Sequence, residues 1–285
     1  MYPPDFDYEV APTVEIAASL LSATPGAKVI AGGQSLIPLL RYRLARPSAL
    51  VDIGRIADMR SIASRDGWVE IGALVTTAEL SAAGPHVPAL IRDASAVIAD
   101  PQVRNLGTIG GNLAHADPQN DLPAVLVAGR GTVHVTGVGG SRGIPSDEFF
   151  TGPFGTNLNS TDIVTRIDLP SGVGAYEKFK RSAGDYGTGA VAVHLRLGIA
   201  GVIEQAGIAV SGIFGLATRA LEAEDRLAGT YGELEDLAAA ANAVASAGTA
   251  MDDERGSSRY KAALAVTLAH RALIRAIVRA REVAA

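Results

Sequence analysis

Thr108-Ile109-Gly110-Gly111-Asn112-Leu113-Ala114-His115-Ala116-Asp117-Pro118 sets the reading of this chain. A glycine pair stands between apolar positions and is followed by a run of hydrogen-bonding side chains. Such a pair means that the backbone takes torsions closed to other residues, or comes very close to something. A partner lies far upstream, in Ala31-Gly32-Gly33-Gln34-Ser35-Leu36. Each pair is entered from a short apolar run. Two loops of this kind predict two backbone surfaces meeting on one ligand.

Around the first pair the pattern predicts a strand over residues 28–31 and a helix over 36–44, capped by Ser35. A strand, a glycine-rich turn and a helix start together offer free backbone N–H groups to an anion. Neither loop contains Lys or Arg, and Arg41 and Arg43 lie a turn or two too deep. A pyrophosphate held here is therefore neutralised by backbone donors and the helix terminus, and the ligand that suits two such loops is a dinucleotide. Before the second pair, an apolar helix over 88–99 ends at Asp100-Pro101, where proline forbids continuation. Residues 102–112 then run into the loop. His115, Asp117, Asn120 and Asp121 follow it. Asp121 reads both as the N-cap of a helix over 122–128 and as a carboxylate that accepts hydrogen bonds from ligand hydroxyls. Imidazole and carboxylates also suit several metals, but the spacing of His115, Asp117 and Asp121 matches no standard metal motif, so no metal is expected.

Strands are predicted over 49–53, 69–76, 132–136 and 163–169, and the break at Ser171-Gly172-Val173-Gly174 divides the chain into domains at 1–172 and 173–285. The second part begins with strands over 175–181, 190–198 and 201–213, followed by helices over 218–227 and 234–247. A last helix is capped by Ser257 or Ser258. Gly187 to Ala192 matches G-x-G-x-x-A, but a strand pattern follows it, which rejects a Rossmann reading. Tyr186 sits at a glycine-flanked tip, where an aromatic ring can cover the flat face of a ligand or simply decorate a surface loop. Arg271, Arg275, Arg279 and Arg281 suit the C-terminal dipole of the last helix and read as a solvated face. His86, His134, His194 and His270 are assigned no role.

The 285 residues carry a formal net charge of −5, with 48% hydrophobic and 19% charged residues and no cysteine. This is the balance of a folded globular protein. The lack of a basic block argues against nucleic acid as the main partner. The lack of cysteine excludes disulfides, thiolate catalysis and any iron–sulfur cluster held by the cysteines of these residues. The first residues have no basic start followed by an apolar core, so they are no signal peptide. No apolar run approaches the roughly 18 residues that suggest a membrane span. A soluble, cytoplasmic protein is expected.

Residues 31–39 (AGGQSLIPL), 100–105 (DPQVRN) and 107–118 (GTIGGNLAHADP) resemble the FAD-binding medium subunit of molybdenum hydroxylases, with relatives in carbon monoxide dehydrogenase, nicotine dehydrogenase and xanthine dehydrogenase. Gly256-Ser257-Ser258-Arg259-Tyr260-Lys261 with Arg271-Ala272-Leu273 is similar to the family's C-terminal helix. The resemblance runs nearly end to end. It implies an α+β protein: a two-subdomain FAD-binding fold of the vanillyl-alcohol-oxidase (PCMH) type, then a C-terminal domain of antiparallel sheet and helices. It implies that Ala31, Gly32, Gly33, Gln34 and Ser35 form one FAD-binding loop, and that Thr108, Ile109, Gly110, Gly111 and Asn112, with His115, form the other. Asp121 matches the family's ribityl-binding carboxylate. Leu158 matches a residue whose backbone meets the flavin region, Tyr186 an aromatic beside the isoalloxazine ring, and Lys180 a nearby basic position. Asn112 stands where some relatives have Asp, and Gln34 where some have His. No His or Cys in the loops is placed for covalent attachment, so the FAD is expected to be bound but not bonded.

The resemblance further implies an electron-transfer subunit with no catalytic acid or base of its own. A large partner subunit would carry the molybdenum cofactor and a small one two [2Fe–2S] clusters, in a dimer of heterotrimers that reduces an external acceptor. Alternatives are a self-contained FAD oxidoreductase, a non-redox nucleotide-binding or assembly subunit, and a metal hydrolase built on His115, Asp117 and Asp121.

Overall fold

A computed structural model describes residues 2–198 and 201–284. Its first part is built on two sheets. One is a three-stranded parallel sheet, in which Ala49–Asp52 lies between Asp7–Val10 and Lys28–Ile30. The other is a five-stranded antiparallel sheet in the order Ile62–Arg65, Trp68–Gly72, Ile163–Pro170, Thr132–Gly137, Gly140–Pro145. The strands Asp7–Val10 and Ile62–Arg65 were not in the sequence pattern. The first is four residues long with all four exposed, so the alternation of Tyr8 and Val10 with Asp7 and Glu9 marks no buried face. The predicted strand over 69–76 is shorter, Trp68–Gly72, because Leu74 turns away to donate to the carbonyl of Met59 and Thr76 caps the next helix, Thr77–Ala82.

The helix Leu122–Ala128 has all seven residues buried. It packs against the four-stranded antiparallel sheet of the second part, ordered Val173–Phe179, Gly189–Leu197, Ile203–Ser211, Thr218–Arg219. The middle strand shows why its sequence is apolar throughout. Successive side chains point to opposite faces. Ala190 and Ala192 enter the core of the first part, whereas Val191, Val193 and Leu195 enter a second core under the C-terminal helices. Small residues therefore face the buried helix and branched residues face the outer layer. The approach is close: a Cβ on Gly207 would stand 1.8 Å from the carbonyl oxygen of Ala128.

The outer layer consists of Leu221–Leu227, Leu234–Ala243 and the 27-residue helix Ser258–Ala284. Residues 218–219, predicted helical, instead add a short strand to the sheet edge, pairing with Ala209 and Val210. The arginines of the last helix are not a uniform solvated face. Arg275 and Arg279 reach Asp93 of the helix Ala89–Val97 at 2.9 and 2.6 Å, and Arg275 also pairs with Glu177. His134 likewise has a partner, Asp168 at 2.7 Å across two neighbouring strands. Among the described residues no helix is long and apolar enough to cross a membrane.

Candidate functional site

The first glycine pair follows the strand Lys28–Ile30 and precedes the helix Leu36–Arg41. Ala31 is half-buried against the first core. A Cβ on Gly32 would lie 1.9 Å from the carbonyl oxygen of Leu106, so the chain here runs directly against residues 106–107. Only glycine permits that approach. Gly33 has φ +71°, in the left-handed region, and its carbonyl accepts from Ile37 N at 2.9 Å to start the helix. The side chain of Gln34 folds back to donate to the Gly32 carbonyl at 2.9 Å. Ser35 makes no side-chain cap, contrary to the sequence reading, and its backbone is already helical. The amides of Gly32, Gly33, Gln34 and Ser35 donate to no group among the described residues. Four consecutive unpartnered N–H groups between a strand and a helix start make a site for an anion.

The second pair is not a loop. Asp100 caps a helix Pro101–Leu106, its carboxylate accepting from Val103 N at 2.8 Å. Thr108 then caps a second helix, Ile109–His115, its hydroxyl accepting from Gly111 N at 3.2 Å. Both glycines stand in the first turn of that helix. The sequence reading missed it because two adjacent glycines lower helix propensity, and here tertiary contacts override that preference. Ile109 N donates to Val75 at 3.0 Å and Gly110 N to Ala73 at 2.9 Å. A Cβ on Gly110 would sit 2.6 Å from the Ala73 Cβ and 2.9 Å from its oxygen. Gly111 is exposed and meets only the Thr108 hydroxyl. Asn112 gives its carbonyl to the Asn120 amide at 2.9 Å, while its own side-chain oxygen is buried without a partner among the described residues.

Asp121 is 4% exposed and starts the helix Leu122–Ala128, but its side chain makes no cap. One carboxylate oxygen accepts from the Tyr176 hydroxyl at 2.5 Å, and the other from the Lys178 ammonium at 2.8 Å. Burial and the Asp121 charge push the Tyr176 phenol well above its usual pKa. Tyr176 and Lys178 were not singled out by sequence. The signal existed: two residues apart on a strand, they share a face.

His115 lies 4.0 Å from Asp117 and 5.3 Å, centroid to centroid, from the ring of Phe154. Burial lowers its pKa, and Asp117 partly offsets this. Asp117 also accepts from Gln119 N at 2.9 Å, and among the described residues the buried Gln119 side-chain oxygen has no partner. Tyr186 is 43% exposed, on the loop whose next residue, Gly187, abuts Lys178. Its phenol is pushed up first by burial and then by the charges of Asp117 and Asp121. Leu158 packs, half-buried, on the first core. Lys180 donates to the Val97 carbonyl at 3.2 Å, and the lysine that reaches Asp121 is Lys178. A separate surface cleft of about 490 Å³ is lined by Arg142 and Asp162, which pair with each other at 2.7 Å. It has no link to the glycine pairs.

Residues 4–172 match the sequence family described as the FAD binding domain in molybdopterin dehydrogenase, and residues 174–276 match the CO dehydrogenase flavoprotein C-terminal domain. The chain is 39% identical to the 6-hydroxypseudooxynicotine dehydrogenase complex subunit alpha of Paenarthrobacter nicotinovorans, over 99% of this chain and 97% of that one. It is 38% identical to the carbon monoxide dehydrogenase medium chain of Hydrogenophaga pseudoflava, over 96% of this chain and 97% of that one. In structure it is similar to a chain of the carbon monoxide dehydrogenase from Hydrogenophaga pseudoflava that lacks the Mo-pyranopterin moiety, with a TM-score of 0.92 at 38% identity over 98% of this chain and 99% of that one.

Proposed function

We propose that this chain, which belongs to the FAD-binding medium subunits of the molybdenum hydroxylases, is the electron-transfer subunit of an oxidoreductase complex. It would receive electrons from [2Fe–2S] clusters on a small partner subunit and hand them to an external acceptor. A large partner subunit would hold the molybdenum cofactor and oxidise the substrate. The 285 residues contain no cysteine, which fits clusters housed on another chain. A dimer of heterotrimers in the cytoplasm is the assembly this reading implies.

The observation that carries the reading is the run of unpartnered amides at residues 32–35, pressed against the segment that leads into Thr108. These donors fit a pyrophosphate, and no Lys or Arg is needed beside them. The buried, unpartnered oxygens of Asn112 and Gln119 fit ligand donors. Bound FAD supplies the redox chemistry, since flavins exchange electrons singly or in pairs. The protein's residues hold and orient it. The amides of residues 32–35 neutralise the diphosphate, and Gly111 lets the ligand come close to the helix start. Asp121, fixed by Tyr176 and Lys178, accepts from ligand hydroxyls, while Tyr186 covers the ring. No residue is assigned as an acid, a base or a covalent flavin ligand.

The test is a visible absorption spectrum of the purified chain after mixing with FAD and desalting. Flavin bands retained at one FAD per chain are expected. A folded, colourless chain overturns the reading.

A further inference from the structure

We propose that Arg255, far from both glycine pairs in sequence, is the positioning residue for Tyr186: it pins the loop over residues 182–187 where that loop crosses Lys178, the lysine that holds Asp121. The inference rests on the reading of this site as a flavin site.

The loop joins Val173–Phe179 to Gly189–Leu197, and Thr188 N closes its base on the Phe179 carbonyl at 2.8 Å. Residues 181–184 are exposed, and Gly184 has φ +80°. A connection of this kind opens easily unless something ties it down. The Tyr186 hydroxyl makes no hydrogen bond among the described residues, so the ring has no polar anchor of its own. Its place is set by the backbone that carries it. That backbone is held by Arg255, whose Nη1 donates to the Tyr186 carbonyl at 3.2 Å and to both Asp185 carboxylate oxygens at 3.3 Å. The Arg255 guanidinium holds the Asp185 carboxyl below its usual pKa.

Arg255 is itself fixed. Its side chain is 15% exposed. Its amide donates to Asp253 at 2.9 Å, and Asp253 also pairs with Lys261 at 2.5 Å on the long C-terminal helix. Lys261 is buried and donates in turn to the Met251 carbonyl at 3.1 Å. The anchor is therefore a turn tied to the long C-terminal helix through Asp253 and Lys261, and the tethered end is the loop. Just beyond Tyr186, a Cβ on Gly187 would stand 3.0 Å from Cε of Lys178, so the loop lies across the lysine that holds Asp121. One arginine thus couples the C-terminal helix to the lid over that carboxylate.

Two readouts test this with Arg255→Ala, with Asp185→Asn as a variant that breaks the same pair from the loop side. Without FAD, hydrogen exchange at the loop's bonded amides, Asp185 N on the Ser182 carbonyl and Thr188 N on the Phe179 carbonyl, is expected to quicken about fivefold, the scale of losing one partly exposed ion pair. Exchange unchanged in both variants overturns the pin, whether or not flavin binds. With FAD, the fluorescence of the bound flavin is expected to rise in Arg255→Ala as the ring leaves it. The double variant Arg255→Ala/Tyr186→Ala is expected to match Tyr186→Ala alone, because one residue acts through the other. Arg255→Ala with wild-type fluorescence, beside an altered Tyr186→Ala, overturns the positioning role. A wild-type chain that retains no flavin overturns the reading of the site instead, and hydrogen exchange still decides the pin.

Discussion

The two glycine pairs look alike in sequence, each followed by an amide side chain, Gln34 or Asn112. The fold uses them differently. At Gly32-Gly33 the backbone leaves a strand, takes a positive φ and keeps four amides unpartnered among the described residues. At Gly110-Gly111 the backbone is helical, and the amides of Ile109, Gly110 and Gly111 already donate to Val75, Ala73 and the Thr108 hydroxyl. The first pair offers donors, and the second offers room. Gly110 admits the Ala73 backbone, and Gly111 leaves a bare, exposed face at a helix start. A glycine pair therefore reports that something must come close. Whether that is a ligand or the protein itself depends on which carbonyls the fold delivers to the amides.

Substitutions divide the two roles. Gly32→Ala is expected to do the most damage, because its Cβ would meet the Leu106 carbonyl at 1.9 Å, and a backbone atom has nowhere to go. A loss above about 3 kcal/mol in denaturant unfolding, together with loss of FAD retention, is expected. Gly110→Ala clashes less severely with Ala73, at 2.6 Å, and is expected to cost about 1–3 kcal/mol. Its folded fraction should still retain FAD after desalting. If Gly110→Ala instead lost the flavin at unchanged stability, the contrast drawn between the pairs would fail.

Gly33→Ala meets only the movable tip of Ile37, so its cost is that of φ +71°, about 1–2 kcal/mol. FAD titration should show weakened binding in addition, because those torsions aim the free amides. Gly111→Val is expected to change stability least, by about 1 kcal/mol, since its Cβ would stand 2.9 Å from the Thr108 hydroxyl and displace the cap that this hydroxyl makes. It should nevertheless abolish FAD retention, because the side chain fills the space through which the ligand approaches. Stoichiometric flavin in that variant would remove Gly111 from the site and leave the first pair as the sole diphosphate cradle.

Much of the architecture was legible without coordinates. Alternating Ala and Val over residues 190–193 mark a strand buried on both faces, and the fold puts the alanines against one core and the valines against the other. In the helix Val14–Ala23, Thr13 is the cap, and Val14, Ala17, Ala18 and Leu21 have the spacing of one helix face. The ordered motifs at residues 31–39 and 100–118 carried the family. These signals are local, spanning a turn of helix or a few residues of strand, and local periodicity records which face is dry.

What the sequence could not decide were the partners of charged and polar side chains across the chain. Asp121 has the spacing of a cap, but its carboxylate faces Tyr176 and Lys178, 55 and 57 residues away. Arg275 and Arg279 have the spacing of a solvated helix end, but they reach Asp93 from 182 and 186 residues away. Lys178 and Lys180 share one strand face in any local reading, and only packing sends the first to Asp121 and the second to the Val97 carbonyl. A carboxylate or ammonium withdrawn from water must find its counterpart, and which one it meets is set by where sheets and helices dock. The sequence by itself determined the family and those elements whose buried face leaves an apolar period, but not the exposed strand Asp7–Val10 or the glycine-bearing helix Ile109–His115. The tertiary structure decided which charges meet and which amides stay free.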